Sequence, residues 1–456
     1  MRNHHFLLVC FPVLGHINPS LQLAHRLISL GAHVTFATTI VANRRYHKTH
    51  HDFTTPGLSF ATFSDGFDDE TLKLSADFAH YLSELTRCGS HSLINLITSS
   101  ANHGRPITFL IYSLMFNWAA DVASIFDIPS ALFFVQPATL LALYYYYFVD
   151  GYEDTISTKL LQQDPSFSLQ LSGLPLLASR DMPSLLSPSN PNAFLIPPMR
   201  QQFEFLRRQI RPKVLVNTFY ALEREALGAI DDKLKMVPIG PLIPYDDLCR
   251  SPISSEDYYI QWLNSKANSS VIYISFGSIC VLSDTQEEEI VGALLESGHT
   301  FLWVIRSMDD EEERMKKLGG RGKIVRWCDQ VQVLSHPSLG CFVTHCGWNS
   351  TIESLVYGVP VVGFPLQIEQ ATNVKLVEDV WRTGVRVKAN AEGIVERGEI
   401  RRCLDIVMGD TDVKKREEIK GNVKKWKELA REAIGEGGSS YLNLESFVRE
   451  IDEDSY

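Results

Sequence analysis

A histidine directly after the first apolar run is the first residue whose position favours catalysis. Residues 6–11 predict a buried strand, and residues 19–30 have the spacing of an amphipathic helix. His16 lies between them, so we expect it on the loop at the strand's carboxyl end, where doubly wound sheets bind ligands. A neutral imidazole, with a pKa of about 6.5, accepts a proton from a hydroxyl near pH 7. A helix-capping or turn histidine fits the same position, so position alone leaves both interpretations open.

A strand-to-helix turn in the second half of the chain has the residues of an anion site. Residues 341–344 predict a strand and residues 349–357 a helix, with Gly347 at the bend between them. Such a turn points backbone N–H groups at an anion, and the helix dipole adds to the attraction. Side chains of the turn that donate further hydrogen bonds and suit a diphosphate are those of His345, Asn349 and Ser350.

Two residues extend this site towards a nucleoside. Glu353 is one helical turn beyond the anion site, where a carboxylate can accept two hydrogen bonds from a ribose diol. Trp327 precedes the turn and could stack on a base. The phosphate-loop motif G-x-x-x-x-G-K-[ST] is absent, since Gly322-Lys323 is followed by isoleucine. The dinucleotide motif G-x-G-x-x-G does not follow the first strand.

Composition excludes several classes of protein. The chain has 456 residues, a net charge of −11 and 21% charged residues, which argues against nucleic acid or anionic membranes as partners. Its 8 cysteines form no C-x-x-C pair, so we expect no metal site and a reducing, cytoplasmic environment. The apolar stretch 130–149 contains Gln136-Pro137, which predicts a strand, a break and a helix rather than a membrane span.

These sites require a scaffold of two α/β domains. Apolar runs alternate with amphipathic ones in both halves, which predicts βαβ units and two facing Rossmann-like domains with parallel sheets. The Pro-rich stretch 237–255 is unsuited to a helix or an inner strand and predicts a linker. We therefore expect an N-terminal domain at 1–240, a linker at 241–256 and a C-terminal domain, which contains the anion site, at 257–456. The charged helices at the C-terminus are expected to pack back towards the first domain.

The segment from Trp327 to Gln370 resembles the 44-residue signature box of plant family 1 UDP-dependent glycosyltransferases. Nearly every hallmark is in register, and His16 in its Gly-His-Ile-Asn-Pro context and Phe276-Gly277-Ser278 also match. The resemblance implies a GT-B fold (α/β, with a cleft between the domains), inversion at the anomeric carbon, and neither metal nor cofactor, with UDP-glucose as co-substrate. It makes His16 the general base, the N-terminal domain the acceptor-binding domain and the C-terminal domain the UDP-sugar-binding domain.

The resemblance also assigns roles in the donor site. Trp327 would stack on uracil, Gln330 would lie near the base and ribose, and Glu353 would hold the ribose hydroxyls. Trp348, Glu369 and Gln370 would contact the sugar. Gln370 matches members that use UDP-glucose, whereas Glu369 is more often aspartate. The full set of donor-binding residues that it implies is Ser278, Trp327, Cys328, Gln330, His345, Gly347, Trp348, Asn349, Ser350, Glu353, Glu369 and Gln370.

One departure concerns the support of His16. Many members carry an aspartate after the fourth strand that orients the histidine and stabilises its cation. Here we align Ser113 with that position, so Ser113 is a possible partner that can hydrogen-bond the imidazole without offsetting its charge. Either the acceptor is acidic enough to need little help, as a carboxylate would be, or another group assists. The chain is most similar to the group with anthocyanin 5-O-glucosyltransferases and glucose-ester-forming enzymes.

The predicted function is therefore glucosylation of a hydroxyl or carboxyl of a small plant metabolite, such as a flavonoid, anthocyanin, phenolic acid, hormone or apocarotenoid acid. The alternatives are a binding protein that kept the donor site with little turnover, another UDP-sugar donor, or an NDP-sugar epimerase. We expect a cytoplasmic monomer whose partners are a UDP-sugar and a small acceptor. The candidate acceptor-binding residues are Gly15, Phe67, Phe116, Gln136, Tyr144 and Tyr145.

Overall fold

The computed structural model describes residues 4–49, 55–69, 78–162, 164, 166–187, 190–244, 258–278, 280–306 and 318–453. The predicted linker 241–256 lies outside these residues except for 241–244. The strands are β1 (His5–Val9), β2 (His33–Thr39), β3 (Leu58–Phe63), β4 (Phe109–Ser113), β5 (Ser130–Phe134), β6 (Ser168–Leu169), β7 (Leu177–Ala178), β8 (Lys213–Val216), β9 (Lys235–Pro238), β10 (Val271–Ser275), β11 (Thr300–Val304), β12 (Gly322–Val325), β13 (Leu339–Thr344), β14 (Val361–Gly363) and β15 (Gly384–Arg386).

The α-helices flank these strands in sequence. They are α1 (Leu14–Ser29), α2 (Ile40–Thr49), α3 (Phe78–Asn102), α4 (Asn117–Ile125), α5 (Ala138–Phe148), α6 (Glu153–Leu161), α7 (Ile196–Arg208), α8 (Arg224–Gly228), α9 (Tyr258–Asn264), α10 (Asp284–Ser297), α11 (Gln330–Ser335), α12 (Trp348–Tyr357), α13 (Gln370–Lys375), α14 (Arg397–Met408), α15 (Val413–Ile434) and α16 (Ser439–Glu453). Short 3₁₀ turns occupy Ser179–Asp181, Ser184–Leu186 and Ala193–Leu195, and a π-helical turn, Leu376–Val380, continues α13.

Two parallel sheets form the frame of the described residues. The first has the order β3-β2-β1-β4-β5-β8-β9 and the second β12-β11-β10-β13-β14-β15. The pairings are parallel throughout both sheets, and β6 and β7 form a separate antiparallel pair. In both sheets the chain order reverses beside the first strand, β1 or β10, and this is where an open parallel sheet leaves a crevice for a ligand.

The prediction for 130–149 is confirmed, since β5 and α5 occupy it with a break at 135–137. The prediction for 237–255 is partly wrong, because Val237 and Pro238 belong to β9. Pro238 is tolerated there because β9 is an edge strand of the first sheet. Gly322 and Lys323, which only imitate a phosphate loop in sequence, belong to β12, an edge strand of the second sheet.

The start of the first helix is also different from the prediction. Helix α1 begins at Leu14, not at Pro19, so Gly15 and His16 lie in its first turn rather than on a loop. Pro19 lacks a backbone N–H and so cannot donate to the carbonyl of Gly15, four residues earlier. The helix tolerates this loss near its N-terminus, and the Gly15 carbonyl is left available for another donor.

The two halves share buried contacts. Phe219, Leu222 and Ile243 pack in one apolar cluster with Trp348 and Trp381. The C-terminal helix α16 packs on the first sheet, with Leu444, Phe447, Val448 and Ile451 in the same buried cluster as β1 side chains. Apolar burial therefore joins segments of the two halves at two places.

Candidate active site

A cavity of about 700 Å³ lies between the carboxyl ends of the two sheets. Its first wall comes from the β1–α1 turn and the segments after β4 and β5. Its second wall comes from the segments after β10 and β13 and from the turn before α13. All twelve predicted donor-binding residues, with His16, Gly15, Gln136 and Tyr144, line this cavity.

His16 lies in the first wall and is partly buried, with its Nδ1 atom shielded from solvent. Its ring centroid is 5.4 Å from that of Phe11, and its Nδ1 atom has no hydrogen-bond partner among the described residues. Burial lowers the pKa of His16 from 6.5 to about 4, because an apolar surrounding disfavours the imidazolium. The ring is therefore neutral at pH 7 and can accept a proton.

The structure places Ser113 on a different partner. The Ser113 hydroxyl accepts a hydrogen bond from the backbone N–H of Phe11 at 3.2 Å, and the side chain does not line the cavity. The pairing of β1 with β4 ends at Val9 and Tyr112, so the buried N–H of Phe11 needs a side-chain acceptor. The hypothesis that Ser113 bonds to His16 is therefore not supported by the geometry.

The β13–α12 turn faces His16 across the cavity. Cys346 has a φ of +60° and Gly347 is the N-cap of α12, so the first N–H groups of this ten-residue helix point into the cleft. Asn349 donates from Nδ2 to the carbonyl of Gly15 at 3.0 Å. This is the carbonyl that Pro19 leaves available, so the bond joins the first turn of α1 directly to the opposite anion site.

His345 is held between two glycines. A Cβ atom on Gly277 would lie 2.7 Å from the His345 ring, and one on Gly347 would lie 2.6 Å from its Nε2. Gly277 also has a φ of +74°, which favours glycine. Burial lowers the pKa of His345 to about 4, opposed in part by a hydrogen bond to the Ser275 backbone.

Gln330, Ser350 and Glu353 form a hydrogen-bonded cluster beyond the anion site. Gln330 donates from Nε2 to the Glu353 carboxylate at 2.7 Å and to the Ser350 hydroxyl at 3.0 Å. Burial raises the pKa of Glu353 from 4.5 to about 7, with the Gln330 hydrogen bond acting in the opposite direction. Trp327 is 62% exposed at this end of the cavity, so its indole face is available to a planar group.

The other end of the cavity contains Glu369 and Gln370. The Gln370 amide oxygen accepts hydrogen bonds from the backbone N–H groups of Leu366 and Gln367, at 2.8 and 3.0 Å. These bonds orient the amide, so its NH₂ group is directed at the Cys280 sulfur, 3.6 Å away. Burial raises the pKa of Glu369 to about 7, partly opposed by the backbone N–H of Trp348.

The side chain of Trp348 is directed away from this end. Its indole N–H donates to the Asn217 carbonyl at 2.8 Å, and its ring packs 6.0 Å from that of Trp381 between the two halves. The prediction that Trp348 contacts a sugar therefore applies only to its backbone N–H, which faces Glu369.

Three of the six predicted acceptor residues lie outside the cavity. Phe116 is fully buried against Phe11, and Phe67 packs on Tyr81. Tyr145 packs on Phe203, because consecutive helical residues point about 100° apart and only Tyr144 of the tyrosine run faces the cavity. The Tyr144 hydroxyl and the Gln136 amide oxygen are buried without a hydrogen-bond partner among the described residues.

Several lining residues were not predicted from the sequence. They include Leu114, Leu185, Met199, Cys280 and Ile368. The sequence predicts only that residues 183–186 lie near the acceptor residues, and the other four residues belong to no local motif. They reach the cavity through the packing of separate segments, which a pattern along one chain does not reveal.

Within the part of the chain that the structure describes, no group of three or more His, Cys, Asp or Glu residues is placed to hold a metal ion. A search of the same residues finds no helix with the length and apolar character needed to cross a bilayer.

Comparison with known proteins identifies the family. The family described as "UDP-glucoronosyl and UDP-glucosyl transferase" matches residues 247–454. Mogroside I-E synthase from Siraitia grosvenorii is 68% identical, over 96% of this chain and 93% of its own. Anthocyanidin 3-O-glucoside 5-O-glucosyltransferase 1 from Perilla frutescens is 45% identical, over 98% of each chain.

A solved structure shows the same architecture. Os79 from O. sativa, crystallised in complex with UDP, superimposes with a TM-score of 0.84 and is 32% identical, over 98% of this chain and 100% of its own. The two facing parallel sheets are thus the GT-B fold that the signature box implied. This chain is a glycosyltransferase that belongs to the plant family 1 UDP-dependent glycosyltransferases.

Proposed function

We propose that this protein transfers glucose from UDP-glucose to a hydroxyl or carboxyl group of a small plant metabolite, with inversion at the anomeric carbon. The observation that supports this most directly is the cavity itself. A neutral histidine on one wall faces a helix N-terminus on the other, and the Asn349–Gly15 hydrogen bond joins the two walls.

In this proposal the second wall binds the donor. The N-terminus of α12, with His345, Asn349 and Ser350, takes the diphosphate. Glu353 takes the ribose hydroxyls, and Trp327 stacks on the uracil. Glu369 and Gln370 then lie next to the glucose, with the Gln370 NH₂ group as a donor to a sugar hydroxyl. UDP-glucose is a co-substrate here, and the proposal requires neither a metal nor a cofactor.

The chemistry is a single displacement. The acceptor oxygen attacks the anomeric carbon from the side of His16, and its proton, where it has one, passes to the His16 ring. The bond from the anomeric carbon to the diphosphate breaks, and the charge that develops on the leaving oxygen is stabilised by the N–H groups of α12.

The acceptor is proposed to bind beside Tyr144 and Gln136. These side chains present an unpaired hydroxyl and an unpaired amide oxygen to an otherwise apolar wall, which suits a largely apolar molecule with a few polar groups. The relative named for anthocyanidin 3-O-glucoside supports including polyphenols among the candidates. No carboxylate among the described residues is hydrogen-bonded to His16 Nδ1, which favours acidic phenols and carboxylic acids as acceptors. A cytoplasmic location and a monomeric state, both predicted from the sequence, belong to the same proposal.

The test is an assay with purified protein, UDP-glucose and a panel of flavonoids, anthocyanins, phenolic acids, carboxylic hormones and apocarotenoid acids. Products are separated by mass and treated with mild alkali, and their anomeric configuration is read by NMR. An alkali-labile β-glucoside identifies a carboxyl acceptor, and an alkali-stable one a hydroxyl acceptor.

An α-glucoside would contradict the single displacement. Turnover only with a different UDP-sugar would overturn the choice of donor. Binding of UDP-glucose without any product would instead support the alternative of a binding protein, for which the unsupported His16 is the motivating observation.

A further inference from the structure

A short segment of the first half crosses to the second half beside Glu369 and Gln370. Its 3₁₀ turns, Ser179–Asp181 and Ser184–Leu186, lie between β7 and α7. Ser184 accepts a hydrogen bond from the Ile368 N–H at 2.7 Å through its hydroxyl, and its own N–H donates to the Ile368 carbonyl at 2.8 Å. We call the contacts that Ser184 and Asp181 make with the second half the cross-cleft bridge.

Asp181 provides the ionic part of this bridge. Its side chain is 2% exposed and lies between two cations, with Arg386 at 2.8 Å and Lys375 at 3.6 Å. Its backbone carbonyl also accepts a hydrogen bond from the Thr372 hydroxyl at 2.7 Å. These three residues belong to the second half, on α13 and β15, whereas Arg180 and the Ala178 N–H contact the same carboxylate from the first half. A buried, paired charge therefore ties the segment to the helix that begins with Gln370.

The residue that the bridge holds has an unusual backbone. Ile368 has a φ of +57°, a conformation that a β-branched residue rarely adopts without outside support. It directly precedes Glu369, the N-cap of α13, and Gln370. Both hydrogen-bonding groups of the Ile368 backbone are bonded to Ser184, so the turn that presents Glu369 and Gln370 is supported from the opposite half of the protein.

We infer that Ser184 and Asp181 are positioning residues for sugar recognition, acting through Ile368 on Glu369 and Gln370. Neither is among the residues that the signature box supplies, and Ser184 and Asp181 do not line the cavity themselves. Leu185 and Ile368 do line it, so the bridge also connects the acceptor wall to the sugar end. The inference deepens the proposed function and rests on it where it names glucose.

Ser184→Ala tests the inference with the smallest change, because it deletes one acceptor and leaves the buried charges paired. Ser184→Thr restores the hydroxyl. Ser179→Ala is the matched control, since the Ser179 hydroxyl bonds within the first half, to the Asp164 carbonyl at 2.8 Å. Affinities for UDP and for UDP-glucose are measured by calorimetry, and deuterium uptake over residues 366–370 is followed by mass spectrometry.

We expect Ser184→Ala to weaken UDP-glucose binding about fivefold, the effect of one neutral hydrogen bond, while UDP affinity stays within about twofold of wild type. In the same variant, deuterium uptake rises over residues 366–370 but not over residues 345–353. Ser184→Thr restores both measurements, and Ser179→Ala changes neither.

Equal losses of affinity for UDP and UDP-glucose in Ser184→Ala would show a general structural role and overturn the inference. Deuterium uptake over residues 366–370 that stays at the wild-type level in this variant would also overturn it. If the wild-type protein uses no UDP-glucose, the proposed function fails. The uptake measurement then still decides whether the bridge positions the turn.

Discussion

The raised pKa of Glu353 predicts how nucleotide binding depends on pH. Its carboxyl has a pKa of about 7 because burial disfavours the charged form, and among the described residues only Gln330 donates a side-chain hydrogen bond to it. The free protein therefore holds Glu353 about 90% ionised at pH 8 but only about 3% ionised at pH 5.5. Two ribose hydroxyls that donate to the carboxylate would favour its ionised form and return its pKa towards 4.5.

The size of the effect follows from linkage. If the pKa is about 7 in the free protein and about 4.5 with UDP bound, the Glu353 contribution to UDP affinity falls about 30-fold between pH 8 and pH 5.5. UDP affinity falls as the pH falls because, in the free folded protein, the Glu353 carboxyl must lose a proton before it can accept both hydrogen bonds. Binding of UDP near pH 6 should therefore release close to one proton from this group.

The assay is calorimetry of UDP binding over this pH range, in buffers of different ionisation enthalpy to count protons. UDP titrates its own phosphate, and His345 also responds to an anion, so the comparison is with Glu353→Gln. This variant keeps an acceptor oxygen and both other titrations but cannot ionise. The reasoning is refuted if wild type and Glu353→Gln show parallel pH dependences, or if binding takes up a proton that the variant does not.

Three further predictions test other parts of the site. His16→Ala should lower transfer to a hydroxyl acceptor about 10²–10⁴-fold. With UDP-glucose saturating, so that Glu353 is already ionised, the acid limb of wild-type kcat/KM for the acceptor should lie near pH 4 rather than 6.5, because the neutral form of His16 is the base; a limb at 6.5 would contradict the burial argument. Gly277→Ala should weaken UDP binding about tenfold, because the added Cβ atom clashes with His345 and the backbone has a positive φ. Gly298→Ala is the control and should leave UDP binding unchanged, because Gly298 has a similar φ of +70° but an added Cβ atom would lie 3.7 Å from the nearest atom of the described residues. Glu223→Ala should lower the free energy of unfolding by about 3 kcal/mol in urea titrations. The reason is that the buried carboxylate accepts hydrogen bonds from the first two N–H groups of α5, each at 2.9 Å. Substitution of its exposed neighbour, Glu225→Ala, should lower the free energy of unfolding much less.

Local pattern determined much of the fold. Buried parallel strands are short apolar runs, and their helices have a 3.6-residue apolar period, so β1 to β5, β10, β11, β13 and β14 could be predicted within a few residues. The edge strands β9 and β12 could not, because edge positions tolerate the proline and glycine that usually indicate a turn.

The donor side of the site could also be predicted from the sequence, for a physical reason. An anion site at a helix N-terminus is built from consecutive residues, so His345 to Glu353 keep their relative positions whatever surrounds them. The resemblance to the signature box then named the residues at the base end and at the sugar end of the donor site. All twelve predicted donor-binding residues line the cavity.

Tertiary structure alone decided the directions of individual side chains and the contacts between distant segments. Ser113 binds Phe11 because a strand pairing ends nearby, and the Trp348 indole points into the interface because the Asn217 carbonyl lies there. The Asn349–Gly15 bond and the cross-cleft bridge join residues more than 180 positions apart. A sequence specifies which residues can make such contacts, but only packing of the two halves determines which of them meet.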